Sequence, residues 1–295
     1  MARAAVSTRR AAPALLAMLA ACGATARDDS AFGGAASVWR DRAYQTESAS
    51  QRLDVYVPRN SVDHPPLVVL VHGGGWMDLS KDNVLLWAAT FLRAGWAVAN
   101  VEYRRGREAP APAAARDVRC AIKWVARHAG EYGADQSRLV VAGESAGAHL
   151  VLLAAFADSS ADLDAHCPGP MPPIAGVINR MGIVDVNDLL AGANWRGWAT
   201  GWIGNSPGAE ERARQLSPIT WIRPGLPPVL TVHGDRDGTV PFAQAQRLQD
   251  ALERNGVPHE FVVLRGADHG PLAPEPAGVT EAAIARFLAQ IASRD

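Results

Sequence analysis

The sequence predicts an α/β fold, a mostly parallel sheet of about eight strands flanked by helices on both faces. Three observations carry that prediction. Short, continuous apolar runs such as 67–71 (Leu-Val-Val-Leu-Val) and 139–142 have the length and branching of strands buried on both faces. Longer segments between such runs place apolar residues at helical spacing, as Val118, Ala121, Ile122 and Val125 do within 113–128. The chain of 295 residues is 48% hydrophobic and 20% charged, a globular composition long enough for one large domain. The formal net charge of -1 and the lack of a long basic block give no footing for nucleic acid, so a small ligand is expected.

The N-terminus reads as an address. Arg3, Arg9 and Arg10 precede an apolar stretch, 11–21, too short to span a bilayer, which is the pattern of a secretory signal. The stretch ends Leu19-Ala20-Ala21-Cys22-Gly23, which resembles a bacterial lipobox, so residues 1–21 are expected to be removed and Cys22 to carry a lipid anchor. That anchor would be the chain's only membrane contact. A soluble secreted protein cleaved near 24–26 is the alternative. Residues 22–50, rich in Ala, Gly, Ser and Asp, read as a flexible tether, and 51–295 as the single α/β domain. Cys120 and Cys167 remain as a possible disulfide, whose approach the sequence does not give. No cysteine spacing suggests a structural metal, and no cofactor motif is present.

Taken in order, 53–57 alternates as a half-exposed strand and Pro58 to Pro66 supplies a turn. The buried strand 67–71 runs straight into His72-Gly73-Gly74-Gly75-Trp76. Glycines at this point leave backbone N–H groups free to converge on an anion. A helix over 85–93 and a strand over 96–101 follow, then the helix 113–128. The strand 139–142 leads into Gly143-Glu144-Ser145-Ala146-Gly147 and an Ala- and Leu-rich helix. Such a G-x-S-x-G elbow reverses the chain so sharply that the serine is left strained and exposed at the strand end. His149, one helical turn on, would be carried behind the serine and is read as a packing or surface residue. A further strand falls at 174–178. Regularity then breaks down over 185–224, where tryptophans gather. Strands at 228–232 and 260–264 and a helix stripe of Ile284, Phe287, Leu288 and Ile291 complete the alternation.

A serine hydroxyl needs an imidazole to take its proton and a carboxylate to hold that imidazole in the right tautomer. Asp237 and His269 lie in loops after later strands, in the chain order Ser, Asp, His. Asp235, nearer its strand end, suits a local turn role. His233 precedes the acid and His259 opens a strand, which leaves His269 as the base.

The H-G-G-G-W loop, Tyr103-Arg104, the G-E-S-A-G elbow, Ser217-Pro218-Ile219, His233-Gly234-Asp235-Arg236-Asp237 and Asp268-His269-Gly270 together resemble the α/β-hydrolase superfamily. The branch they are most similar to is the esterase/lipase one, with arylformamidases and bacterial feruloyl-esterase-like hydrolases. The resemblance implies Ser145 as nucleophile, His269 as base and Asp237 as its orienting acid. It also implies an oxyanion hole from the N–H of Ala146 with those of Gly74 and of Gly73 or Gly75, acting on a small-molecule ester. Amide cleavage and a catalytically inactive binding fold are the alternatives. Glu144 departs from the His or Asp of many relatives and is expected to face away from the chemistry. In such folds the 185–224 segment lies over the serine as a small cap. There Trp195, Trp198 and Trp202, at i, i+3 and i+7, would share one helix face and join Trp76 in an apolar substrate wall.

Overall fold

The computed structural model describes residues 27–28, 32, 34–60, 63–270 and 274–293. The proposed cleavage site and Cys22 lie outside the described residues. Nine strands form one sheet: β1 (Arg27–Asp28), β2 (Ala36–Ala43), β3 (Arg52–Pro58), β4 (Pro66–Val71), β5 (Ala97–Val101), β6 (Asp135–Glu144), β7 (Gly176–Arg180), β8 (Val229–Gly234) and β9 (His259–Leu264). Their spatial order is β1-β2-β3-β5-β4-β6-β7-β8-β9. The first three are antiparallel to their neighbours, and β5, β4, β6, β7, β8 and β9 run parallel.

The described residues hold seven α-helices, of which α4 and α5 lie in the segment after β7: α1 (Leu85–Arg93), α2 (Ala113–His128), α3 (Ala146–Phe156), α4 (Gly197–Ile203), α5 (Ala209–Gln215), α6 (Phe242–Arg254) and α7 (Pro274–Ala292). Two cores result, divided by strand alternation. Leu67, Val69 and Val71 of β4 face the core under α2, α3 and α6, whereas Val68 and Leu70 face the one under α1 and α7. A parallel strand buried on both faces has no polar face to show, which is why these runs lack alternation.

The sheet order reverses at β4, which lies between β5 and β6, so the crevice at its carboxyl end is where a ligand site is expected. Val71 pairs with Gly143 there, bringing the loop after β4 beside the elbow after β6. Gly147 is required by that approach, because a Cβ on it would overlap the carbonyl oxygens of Val71 and His72.

An expectation changes, and a question that the sequence left open is answered. Ala36–Ala43 is no tether: it pairs antiparallel with β3, buries Ala36 and Val38 in the core and is itself paired by Arg27–Asp28, so the described part of 22–50 already belongs to the folded domain. Cys120 of α2 and Cys167 are joined by a disulfide, and Lys123 from the same helix donates to the Cys167 carbonyl at 2.9 Å. The segment after α3 is thereby fastened to α2.

Candidate active site

Ser145 sits between β6 and α3 with φ 53° and ψ -122°, a conformation that a residue with a side chain adopts only under constraint. Its N–H donates to the Arg180 carbonyl at 2.9 Å and its carbonyl accepts from His149 at 3.1 Å, so neighbours on both sides hold the turn. The hydroxyl is thereby directed to the loops at the sheet's carboxyl end.

His269 Nε2 lies 3.0 Å from Ser145 Oγ, and His269 Nδ1 lies 2.7 Å from Asp237 Oδ2. Asp237 Oδ1 accepts the N–H groups of Thr239 at 2.9 Å and Val240 at 2.8 Å. His233 Nε2, which donates to the Val240 carbonyl, is 3.2 Å from Asp237 Oδ2. Burial works to raise the Asp237 pKa, but the two histidines and the Val240 N–H outweigh it and hold the carboxyl well below the usual range. The acid is therefore an anion fixed through both oxygens. Asp268 Oδ1 accepts from Gly238 at 2.9 Å and from the backbone of His269 at 2.7 Å, joining the two loops. Asp235 instead accepts from Gly266 at 2.6 Å, a bond across to the turn after β9 and not the local one expected within its own turn, and His259 bonds the nearby Val257 carbonyl.

Beside the serine runs the glycine loop. A Cβ on Gly73 would stand 3.2 Å from that of Ser145, and Gly74, at φ +104°, has no room for one against the Asp78 carbonyl. Tyr103 holds the near end of the loop. Its hydroxyl donates to the carbonyls of His72 (3.2 Å) and Gly73 (3.1 Å), and its ring stacks on His72 at 4.3 Å. Burial raises the phenol pKa, which keeps it a donor. The His72 ring also donates to the Gly73 carbonyl, at 2.8 Å. Ala146, as the first residue of α3, has an N–H without an intrahelical acceptor.

A cavity of about 690 Å³ opens over Ser145 and His269, with Gly73, Gly74 and Gly75 in its wall. Of the four tryptophans expected there, only Trp198 lines it. Trp76, at φ 61°, turns inward and is fully buried, stacked on an equally buried Trp202 at 4.1 Å. Trp195 precedes α4 and is 55% exposed. The expected helix stripe is broken because Arg196 is extended, its guanidinium held by the carbonyls of Gly238 and Thr239. The rest of the apolar wall comes from Leu79, Leu86 and Trp87 near α1 and from Met181 after β7. Glu144 also corrects its expectation, because it lines the cavity and pairs with Arg180 at 3.1 Å. The Arg180 guanidinium in turn lies 5.5 Å over the Trp87 ring. Glu144 and Arg180 are register partners on β6 and β7, so the signal for this pair lies in strand pairing and not in sequence spacing.

The BD-FAE family model matches residues 53–252, which include the glycine loop, the elbow and Asp237. The chain belongs to the BD-FAE family. A dienelactone hydrolase family model matches 214–293, which adds His269. Esterase LipC of Mycobacterium tuberculosis is 29% identical to this BD-FAE chain over 275 residues, 86% of the chain and 66% of that protein. Esterase LipQ of the same organism is 28% identical over 201 residues, 65% of this chain and 46% of its own length. The chain thus spans less than two thirds of either relative. A thermophilic esterase of Thermogutta terrifontis, solved with propionate bound, has a TM-score of 0.71 at 26% identity, covering 87% of this chain and 94% of its own. The fold of this BD-FAE chain is that of the α/β-hydrolases, as its motifs imply.

Proposed function

We propose that this chain is a serine hydrolase of carboxylic esters, working through an acyl-enzyme. The observation that carries the reading is the unbroken relay Ser145–His269–Asp237, with separations of 3.0 and 2.7 Å, set against a glycine loop. His269 takes the serine proton as Ser145 Oγ attacks the ester carbonyl. The Asp237 anion holds the imidazole with Nε2 free to accept and stabilises the imidazolium that forms. The N–H groups of Ala146 and of Gly73, Gly74 or Gly75 receive the developing oxyanion, and each such donor lowers the barrier by on the order of 3 kcal/mol. His269 then protonates the leaving alcohol, and a water activated by the same base releases the acid. Two relatives named as esterases support this activity.

The substrate in this reading is a neutral ester of a compact acyl or aryl group. Charged residues of the cavity wall are offset by partners: Glu144 by Arg180, Glu281 by Arg93 and Asp78 by Arg107. No unbalanced charge selects an ionic substrate, and a related esterase binds propionate. A hydrolysis screen of short-acyl, aryl and bulky esters beside the matching anilides tests it. Turnover of short-acyl esters lost in Ser145→Ala supports the reading. Cleavage confined to the amides would move the chain to amide hydrolysis.

The domain is further proposed to be exported and anchored by lipid at Cys22. The Cys120–Cys167 disulfide supports an oxidising compartment. Intact-mass measurement of the mature N-terminus should find acyl chains on Cys22, and an unmodified chain beginning beyond it would end the proposal.

A further inference from the structure

His149 takes no part in the acyl transfer just described, yet it is fully buried at the first turn of the nucleophile helix, with both ring nitrogens engaged. Nδ1 accepts from Trp76 Nε1 at 3.1 Å and Nε2 donates to the Leu216 carbonyl at 2.6 Å. An indole N–H can only donate and a carbonyl can only accept, so a single form satisfies both partners, the neutral ring protonated on Nε2. Burial favours that neutral form, pulling the histidine pKa down to about 4 against the opposing pull of the Leu216 bond.

The two partners belong to different parts of the molecule. Trp76 closes the glycine loop, and its indole is stacked on Trp202 and lies 5.4 Å from Trp198, both of α4. Leu216 ends α5. Tyr103 fixes the near end of the loop through the His72 and Gly73 carbonyls, whereas the far end at Trp76 is fixed through the indole. Gly73, Gly74 and Gly75 lie between these two side-chain anchors; backbone bonds also hold the loop, the Gly74 carbonyl accepting from Met77 and Asp78 at 3.0 Å and the Trp76 carbonyl from Gly106 at 2.8 Å, but neither ties it to the nucleophile helix. Glycines have little stiffness of their own, so the aim of their N–H groups depends on where the anchors stand.

We infer that His149 is a positioning residue for the oxyanion loop: through Trp76 it sets the loop against the nucleophile helix, and through Leu216 it ties both to the 185–224 segment. The inference rests on the proposed ester hydrolysis. An apolar side chain would fill the same space, but it would leave the Trp76 N–H and the Leu216 carbonyl unpaired in the interior. The loop would then be free to shift by the fraction of an ångström that oxyanion stabilisation does not tolerate.

The test compares kcat and KM for a short-acyl ester in wild type, His149→Leu, His149→Asn, His149→Gln and Trp76→Phe, with melting temperatures alongside. An oxyanion contact strengthens in the transition state, so His149→Leu is expected to lower kcat by about 100-fold with KM within about twofold. Asparagine presents an acceptor near the Nδ1 position and should restore most of kcat, whereas glutamine, which reproduces the Nε2 donor, should not. Trp76→Phe keeps an aromatic ring against Trp202 and removes the donor together with part of the indole volume, so its melting temperature is read beside its kcat. It should reproduce the kcat loss, and it carries the test even if His149→Leu does not fold. A lowered melting temperature with unchanged kcat in His149→Leu or Trp76→Phe, or a loss confined to KM, overturns the inference while ester hydrolysis stands. A wild-type protein that hydrolyses no ester overturns both.

Discussion

Asp237 has every hydrogen-bonding site that faces the protein in use: two backbone N–H groups on one oxygen, two imidazoles on the other. Asp235, two residues earlier, ties its loop to Gly266 after β9 and does not reach the imidazole of His269. The two aspartates should therefore respond differently to amidation. Asp237→Asn should lower kcat/KM by about 10² to 10⁴, because an amide cannot hold His269 in the accepting tautomer, while Asp235→Asn should stay within about tenfold. Ser145→Ala and His269→Ala should each cost about 10⁴ or more. Steady-state kinetics on one short-acyl ester checks all four, and a larger loss in Asp235→Asn would reverse the assignment of the acid. These residues were legible in the sequence because their chemistry leaves local marks, a glycine-bounded serine and a glycine-bounded histidine in loops after strands. Glu144 and Arg180 were not, since what brings them into the cavity is the pairing of β6 with β7.

At the level of elements, the helix at 113–128 could be read from its periodicity and the strand at 67–71 from its unbroken apolar run, whereas the strand at 53–57 was found but its expected exposed face was not: Asp54 and Tyr56 are fully buried. The strand Ala36–Ala43 was hidden: only Ala36 and Val38 alternate inward, amid a composition typical of tethers. The tryptophan stripe failed for a tertiary reason, the anchoring of Arg196 to the loop that carries Asp237. Trp198 alone of the three is left to shape the cavity. Trp198→Ala should thus change the discrimination between short and bulky acyl esters by about 1 to 3 kcal/mol, and Trp195→Ala should leave it unchanged. Relative kcat/KM over an acyl series measures both. The Cys120–Cys167 bond closes a loop with a separation of 47 residues. Opening it by a double Cys→Ala change should destabilise the fold by up to about 4 kcal/mol in chemical denaturation, with kcat little altered, because the bond lies on α2 away from the cavity.

For the whole molecule, the buried charges and the neutral His149 set the pH range of stability. A histidine whose folded pKa is about 4 binds fewer protons than the unfolded chain, where it titrates near 6.5. Stability from this group is complete above pH 6.5 and is lost as the pH falls towards 4, by on the order of 3 kcal/mol. Asp237, Asp164 and Asp188 are held below their ordinary 3.8, so their contributions are present above that value and disappear on further acidification. Denaturation midpoints between pH 7 and 4.5 should fall in wild type and fall less in His149→Asn. Equal slopes would mean that another group titrates in this window.

The central claim is that Ser145 is the nucleophile of an ester hydrolase, and covalent capture tests it most directly. Treating the folded protein with a fluorophosphonate and mapping the adduct by peptide mass spectrometry should show one modification, on Ser145, appearing in step with loss of ester hydrolysis and missing from Ser145→Ala. An adduct on a different serine, or full hydrolysis retained in Ser145→Ala, would contradict it.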